Sequence, residues 1–415
     1  MSRNNHVQPS DIRGASRVVI DAIVGITGVV EAMHVSIAHL PGVSRASASG
    51  RARGITGLVY RSVRLVAGGV GHALDTALAR LVQPLEAKPP SSGREAVLAA
   101  VNGVLGDYLA ETANPLAIQM RLRRDGRPLE LERSALMVAI EQPSPRLLVL
   151  VHGLCMNDLQ WRQREDDPVD ALARDLGCTA LCLHYNSGRH VSANGRDFAD
   201  LLERLVEQWP VAVESLSIVA HSMGGLVARS ACHYGAAASL HWPPLLRQLV
   251  FIATPHQGAP LERGGNWIDL ILGASPYTAP LARLGKIRSA GITDLRYGNL
   301  VEEDWEGRDR FAGGGDLRCV IPLPTKTLCY VIAGTNGRKV GGLGDRLLGD
   351  GLVPLNSALG RHADPCRSLD FPESRQWVAV GTGHLELLKN AEVWKRMRAW
   401  LSTSHSDRIK AGQGG

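Results

Sequence analysis

The chain has 415 residues, 45% of them hydrophobic and 21% charged, with a formal net charge of +6. That is ordinary globular composition, with length for two to three domains or for one large α/β domain with extensions. The basic residues are mostly Arg and scattered, with no dense run interleaved with aromatics, which excludes a nucleic-acid groove and reads as a solvated surface.

Met1-Ser-Arg-Asn-Asn5 does not lead into a signal-peptide pattern, and the first apolar stretch is interrupted by Asp21 and Glu31. No stretch reaches the ~18 to 20 nearly uncharged residues of a membrane-spanning helix. A cytoplasmic protein is expected. Residues 1–110 are rich in Ala, Gly, Val and Arg and read as a helical N-terminal extension. Segments 17–40 and 55–83 have helical period, the second with Leu58, Val63, Val66, Val70, Leu74 and Leu81 on a broad apolar face. Its glycines Gly68, Gly69 and Gly71 each cost up to ~1 kcal/mol relative to Ala, so it needs a packing partner. Gly42 to Gly50 reads as a loop, Lys88 to Gly93 as a linker, and 94–110 as one more helix.

Residues 111–405 read as one α/β domain. Leu116 to Leu122 alternates like a strand, Asp125-Gly126 is a turn, and apolar character resumes from Pro128 to Ile140, suggesting a hairpin. Leu147 to Val151 is a short continuous apolar run, as a central parallel strand requires. A helix over Asp170–Leu176 and a strand over Thr179–His184 follow. Asn194 is positioned to cap the helix through Phe198, Leu201, Leu202, Leu205 and Val206. Strands over Leu216–Ala220, Leu249–Ala253, Leu328–Ile332 and Trp377–Val380 complete the series, with a helix over Gly224–Ala231. This alternation predicts right-handed βαβ units and a mostly parallel central sheet. An insertion over 260–326, with Trp267 to Leu272, Tyr277 and Leu281, reads either as a helical cap or as ordinary packing. The seven cysteines contain no C-x-x-C pair and read as buried free thiols, and no metal-ligand spacing is present, so no metal or cofactor is expected.

Ala220-His-Ser-Met-Gly224 lies between a strand and a helix. A sharp turn there lifts the Ser222 hydroxyl clear of the sheet and brings positions 220 and 224 together, so both must be small. The motif alone is weak; its strand–turn–helix setting gives it weight. An acyl-transfer site also needs two donors for the oxyanion. The N–H of Met223 is one, and Leu154, in Val151-His-Gly-Leu154 after an earlier strand, is the other; without Ser222 that loop would read as a plain glycine turn. The acid must lie between the Ser and the base. Asp350, in Gly349-Asp-Gly351, is the first choice and Asp345 the second, while Asp364 and Asp370 lack a leading strand; a structural Asp-Gly turn is the bland alternative. His384, in Val380-Gly-Thr-Gly-His384 beyond the last strand, is the base; His362 and His405 lack that placement.

These motifs, with Thr254-Pro-His-Gln-Gly258, resemble bacterial lipases and esterases of the α/β-hydrolase superfamily, and also its GPI inositol-deacylase-like branch, over about residues 115–402. The resemblance implies an α/β-hydrolase fold and a Ser222–Asp350–His384 triad, and makes His256 a neighbour of the site. Some such lipases carry a structural calcium, whose ligands have no match here. The expected activity is hydrolysis of a small-molecule or lipid ester with an apolar acyl group. A thioesterase, polyester depolymerase or acyltransferase would use the same triad. A reading of another class is a non-catalytic binding module, with the N-terminal helices docking on the domain, joining two subunits or resting peripherally on a lipid surface.

Overall fold

Six apolar runs between Arg146 and Val380 pair as parallel neighbours in one eight-stranded sheet. They are β3 (Arg146–Val151), β4 (Thr179–His184), β5 (Ser215–His221), β6 (Leu246–Ile252), β7 (Leu328–Thr335) and β8 (Gln376–Val380). Ahead of them, β1 (Arg121–Arg124) and β2 (Arg127–Pro128) form a short hairpin, and β1 runs antiparallel to β4. The order across the sheet is β2-β1-β4-β3-β5-β6-β7-β8. This computed structural model describes residues 10–22, 61–62, 65, 92–162, 167–259, 289–307, 316–337 and 349–412, with side chains to 402.

In chain order the described helices are α1 (10–22), α2 (Ser92–Glu111), α3 (Arg133–Ala139), α4 (Pro168–Leu176), α5 (Val191–Gln208), α6 (Met223–Ala237), α7 (Ala290–Tyr297), α8 (Leu355–Ala358) and α9 (Ala391–Gly412). Both faces of the sheet are covered, which is why its strands are apolar throughout. In β3, Leu147, Val149 and Val151 join the core beneath α5 and α6, with Phe198, Leu202, Leu205 and Leu226. Leu148 and Leu150 point the other way, into a core with Val169, Leu172, Trp394 and Met397 of α4 and α9. This architecture, parallel strands wrapped on both sides with one antiparallel strand near the edge, is the α/β-hydrolase fold.

The chain divides into two compact units, residues 1–94 with 111–117, and residues 95–110 with 118–415. Within the first, the Arg94 guanidinium donates to both Asp11 carboxylate oxygens at 2.6 and 2.7 Å. Within the second, Arg123 of β1 donates to Glu95 of α2 at 2.7 Å and to Asp158 at 2.9 Å, a buried triad of charges.

Several expectations change. Ser92 and Gly93 already belong to α2 rather than to a linker. The strand expected over Leu116–Leu122 begins only at Arg121, because Ile118 N–H donates to Asn102 Oδ1 instead of to a neighbouring strand. The second arm of the hairpin is two residues long, and Arg133–Ala139 is helical. Asn194 is not a cap: α5 starts three residues earlier, and the Asn194 amide is buried inside it, donating to Asn186 O. Leu385 to Leu388 runs into a 3₁₀ turn (Glu386–Lys389), and α9 begins only at Ala391. Of the insertion 260–326, residues 260–288 and 308–315 lie outside the described residues, and with them Trp267 to Leu272, Tyr277 and Leu281. The 55–83 helix lies outside them almost entirely, as do Gly42–Gly50 and, beyond residue 22, the 17–40 helix. Among the described residues no helix is long and apolar enough to cross a membrane, and all seven cysteines are free, but Cys319 and Cys366 are exposed rather than buried.

Candidate active site

Ser222 stands between β5 and α6 with φ 55° and ψ −127°. That is a left-sided backbone conformation which a residue with a Cβ adopts only at a cost of ~1–3 kcal/mol. Two anchors impose it. Ser222 N–H donates to Ile252 O at 2.8 Å, carrying the β5–β6 ladder one residue beyond the strand. The chain then enters α6, whose Gly224 lies so close to β3 that an added Cβ would be 2.5 Å from His152 O and 2.7 Å from Val151 O. No side chain fits there, which gives the Gly of the motif its physical reason. Gly225 meets Thr254 in the same way, with an added Cβ 2.0 Å from Thr254 Oγ1.

Asp350 and His384 meet. His384 Nδ1 and Asp350 Oδ2 are 2.8 Å apart, and both side chains are buried. The carboxylate is fully engaged, since its other oxygen accepts from Leu352 N–H at 3.0 Å and Val353 N–H at 2.8 Å. Gly349 (φ 52°) and Gly351 (φ 98°) on either side give the turn the positive φ that closes it around the acid. Asp350 O accepts from His384 N–H at 3.1 Å, so the loops after β7 and β8 are tied at backbone and side chain alike. With a carboxylate accepting at Nδ1, the His384 proton sits there and Nε2 keeps its lone pair. Among the described residues neither His384 Nε2 nor Ser222 Oγ has a hydrogen-bond partner.

His221 links this dyad to the turn at Ser222. Its Nε2 lies 3.2 Å from His384 O, and the two rings are 4.7 Å apart. A carbonyl acceptor requires Nε2–H, which leaves Nδ1 bare. Burial first, and then His384, hold His221 well below the ordinary imidazole range, so it is neutral. The sequence pointed to Ser222 and passed over the residue before it; a histidine at the buried position of an elbow was the available signal.

The two N–H groups expected as oxyanion donors, of Met223 and Leu154, lie on elements that approach Ser222. Met223 is the first residue of α6, so its N–H belongs to the first turn, which lacks intrahelical acceptors. Leu154 follows Gly153, where an added Cβ would be 3.0 Å from Ser222 Cβ. Leu154 N–H has no acceptor among the described residues. Two neighbours support this loop: Cys155 N–H donates to Ser187 Oγ, after β4, at 3.1 Å, and Gly103 of α2 leaves space that a Cβ would fill 2.2 Å from Cys155 Sγ.

The other candidates lie elsewhere. Asp345 is outside the described residues, as is the side chain of His405. Asp364 caps a 3₁₀ turn by accepting from Cys366 N–H. Asp370 is exposed, and His362 Nε2 lies 3.4 Å from Asp316. His256 is buried against Phe251 and Phe371, 3.4 Å from an Arg229 nitrogen. Three groups able to share a metal, Glu203, Glu207 and His241, lie near the end of α5 and just beyond α6. Glu203 already accepts from His241 N–H, at 2.8 Å, and from Trp242 N–H.

Residues 124–293 match a family model described as a domain of unknown function, DUF7379. A search of the curated proteins finds no match. Among solved structures, the chain is similar to a Bacillus licheniformis lipase in its mature form, with TM-score 0.39 and 20% identity over 63% of this chain and 95% of that one. It is similar also to lipase 1 from Pelosinus fermentans, with TM-score 0.39 and 14% identity over 62% of this chain and 99% of that one. A Pyrococcus furiosus esterase gives TM-score 0.37 and 14% identity over 62% of this chain and 83% of that one.

Proposed function

We propose that the chain is a serine-dependent carboxylic-ester hydrolase acting on an apolar acyl ester through an acyl-enzyme intermediate. The observation that supports this reading is a strained, buried Ser222 at the head of α6 whose neighbour His221 contacts His384 of a buried Asp350–His384 dyad. Strain of this kind at a single polar residue is retained where it serves chemistry.

His384 Nε2 takes the Ser222 proton as Oγ attacks the acyl carbon. Asp350 holds the ring and stabilises the imidazolium, and the N–H groups of Leu154 and Met223 bind the oxyanion. The imidazolium then protonates the departing alkoxide. In the second half, His384 takes a proton from water, the hydroxide attacks the acyl carbon, and Ser222 leaves with its proton restored. Ser222→Ala, assayed on p-nitrophenyl esters of graded chain length, is expected to lose ~10⁴-fold or more in kcat. Wild-type turnover by the folded variant would overturn the reading.

A further inference from the structure

A cavity of about 410 Å³ opens on the α6 side of β7, lined by residues of α6, of the stretch before β7 and of the stretch before β8. None of Ser222, Asp350, His384, Leu154 or Met223 lines it. Its size lies in the range of small-molecule sites. Part of its wall is apolar, with Leu300, Ile321, Leu323 and Leu369, and four arginines face it, Arg229, Arg318, Arg367 and Arg375, against one carboxylate, Asp370.

The arginines differ in what neutralises them. Arg318 donates to the Asp316 carboxylate at 2.7 Å, and Arg367 lies 3.4 Å from Asp316 and 3.8 Å from Asp364. Arg229 is 5% exposed and, among the described residues, has no carboxylate within hydrogen-bond distance; its contacts are Ile321 O at 2.6 Å and His256 Nδ1 at 3.4 Å. Burial first, and then repulsion from Arg318, lower its pKa to about 10, which leaves it a cation at neutral pH. A buried cation with no carboxylate in contact is unfavourable even with the Asp304 charge acting on it from a distance, and an anion in the adjoining space would relieve it. Arg375 lies over the Tyr330 ring, 5.9 Å from its centroid, without a carboxylate partner among the described residues. Both Arg229 and Arg375 act on the buried Cys329 thiol between them, lowering its pKa against the dominant effect of burial.

We propose that this cavity is a second binding site, separate from the ester site, for an amphipathic monoanion: a carboxylate head on the Arg229 guanidinium and a short alkyl chain along Ile321, Leu323 and Leu369. The planar guanidinium matches a carboxylate through two parallel hydrogen bonds. The apolar wall favours an acyl chain over a bare inorganic anion.

The test is calorimetric titration of the full chain with octanoate, 1-octanol and inorganic phosphate. Octanoate is expected to bind about tenfold or more tightly than 1-octanol, which lacks the charge-assisted hydrogen bond, and than phosphate, which leaves the apolar wall uncovered. Arg229→Met should weaken octanoate by a similar factor. Leu323→Trp, which fills the space without touching the buried charge, should abolish binding and leave p-nitrophenyl acetate turnover unchanged; it keeps the test valid if Arg229→Met does not fold. Octanoate binding that survives Leu323→Trp, equal affinity for octanol or phosphate, or no octanoate binding at all would overturn the proposal.

Discussion

Replacing Ser222 by Gly and by Ala separates the strain of the nucleophile turn from its chemistry. Both variants lose the hydroxyl and should be inactive on esters. They differ in the Cβ, which is what makes φ 55°, ψ −127° unfavourable. Removing it should release ~1–3 kcal/mol of backbone strain. Glycine gives back ~0.4–1 kcal/mol through the greater freedom of its unfolded chain. Ser222→Gly should therefore exceed Ser222→Ala in stability by about 0.5–2 kcal/mol. Urea unfolding with linear extrapolation reads the difference directly as a higher midpoint. A glycine variant less stable than the alanine variant would refute the view that the fold holds Ser222 against its own preference.

Two further outcomes follow from the same geometry. In Asp350→Asn the side-chain carbonyl still accepts from Leu352 and Val353 N–H, so the turn should persist, but the amide meets His384 Nδ1 as a donor and forces the proton onto Nε2. The expected fall in kcat is ~10⁴-fold, about 5.5 kcal/mol, measured on p-nitrophenyl butyrate; a loss below about tenfold would contradict the acid's role. The second outcome concerns acid stability. Burial lowers His152 from its ordinary 6.5 to about 4. The unfolded chain thus binds more protons in that window, so stability is complete above pH 6.5 and falls as pH drops toward 4, by about 3 kcal/mol from this residue. His184, His221 and His256 are shifted in the same direction and add to the loss. Equal urea midpoints at pH 7.5 and 4.5 would contradict it.

The central strands and the three candidate triad positions were legible because each motif is local. An apolar strand precedes each of Ser222, Asp350 and His384, and glycines lie beside each of them, at Gly224, at Gly349 and Gly351, and at Gly381 and Gly383. What was not legible depends on distant partners. The start of α5 is set by Asp294, whose carboxylate accepts from Val191 N–H across 103 positions of sequence; no cap near Asn194 encodes it. The segment before β1 has strand-like alternation, yet Asn102 of α2 takes its Ile118 N–H and pulls it out of the sheet. The 128–140 run is apolar enough for a strand, but after Pro128 it turns into α3, with Leu136 and Ile140 buried beside Leu122 and Leu147. Arg229 lies inside an apolar helix, where its sequence context gives no sign of a buried charge facing a cavity.

The account rests on Ser222 being a nucleophile activated by His384. Treating the folded protein with a fluorophosphonate and mapping the adduct by mass spectrometry tests this directly. One adduct per chain, located on Ser222 and strongly diminished in His384→Ala, is the expected result. A folded wild-type protein that stays unlabelled, or that carries its adduct on another residue, would contradict the account.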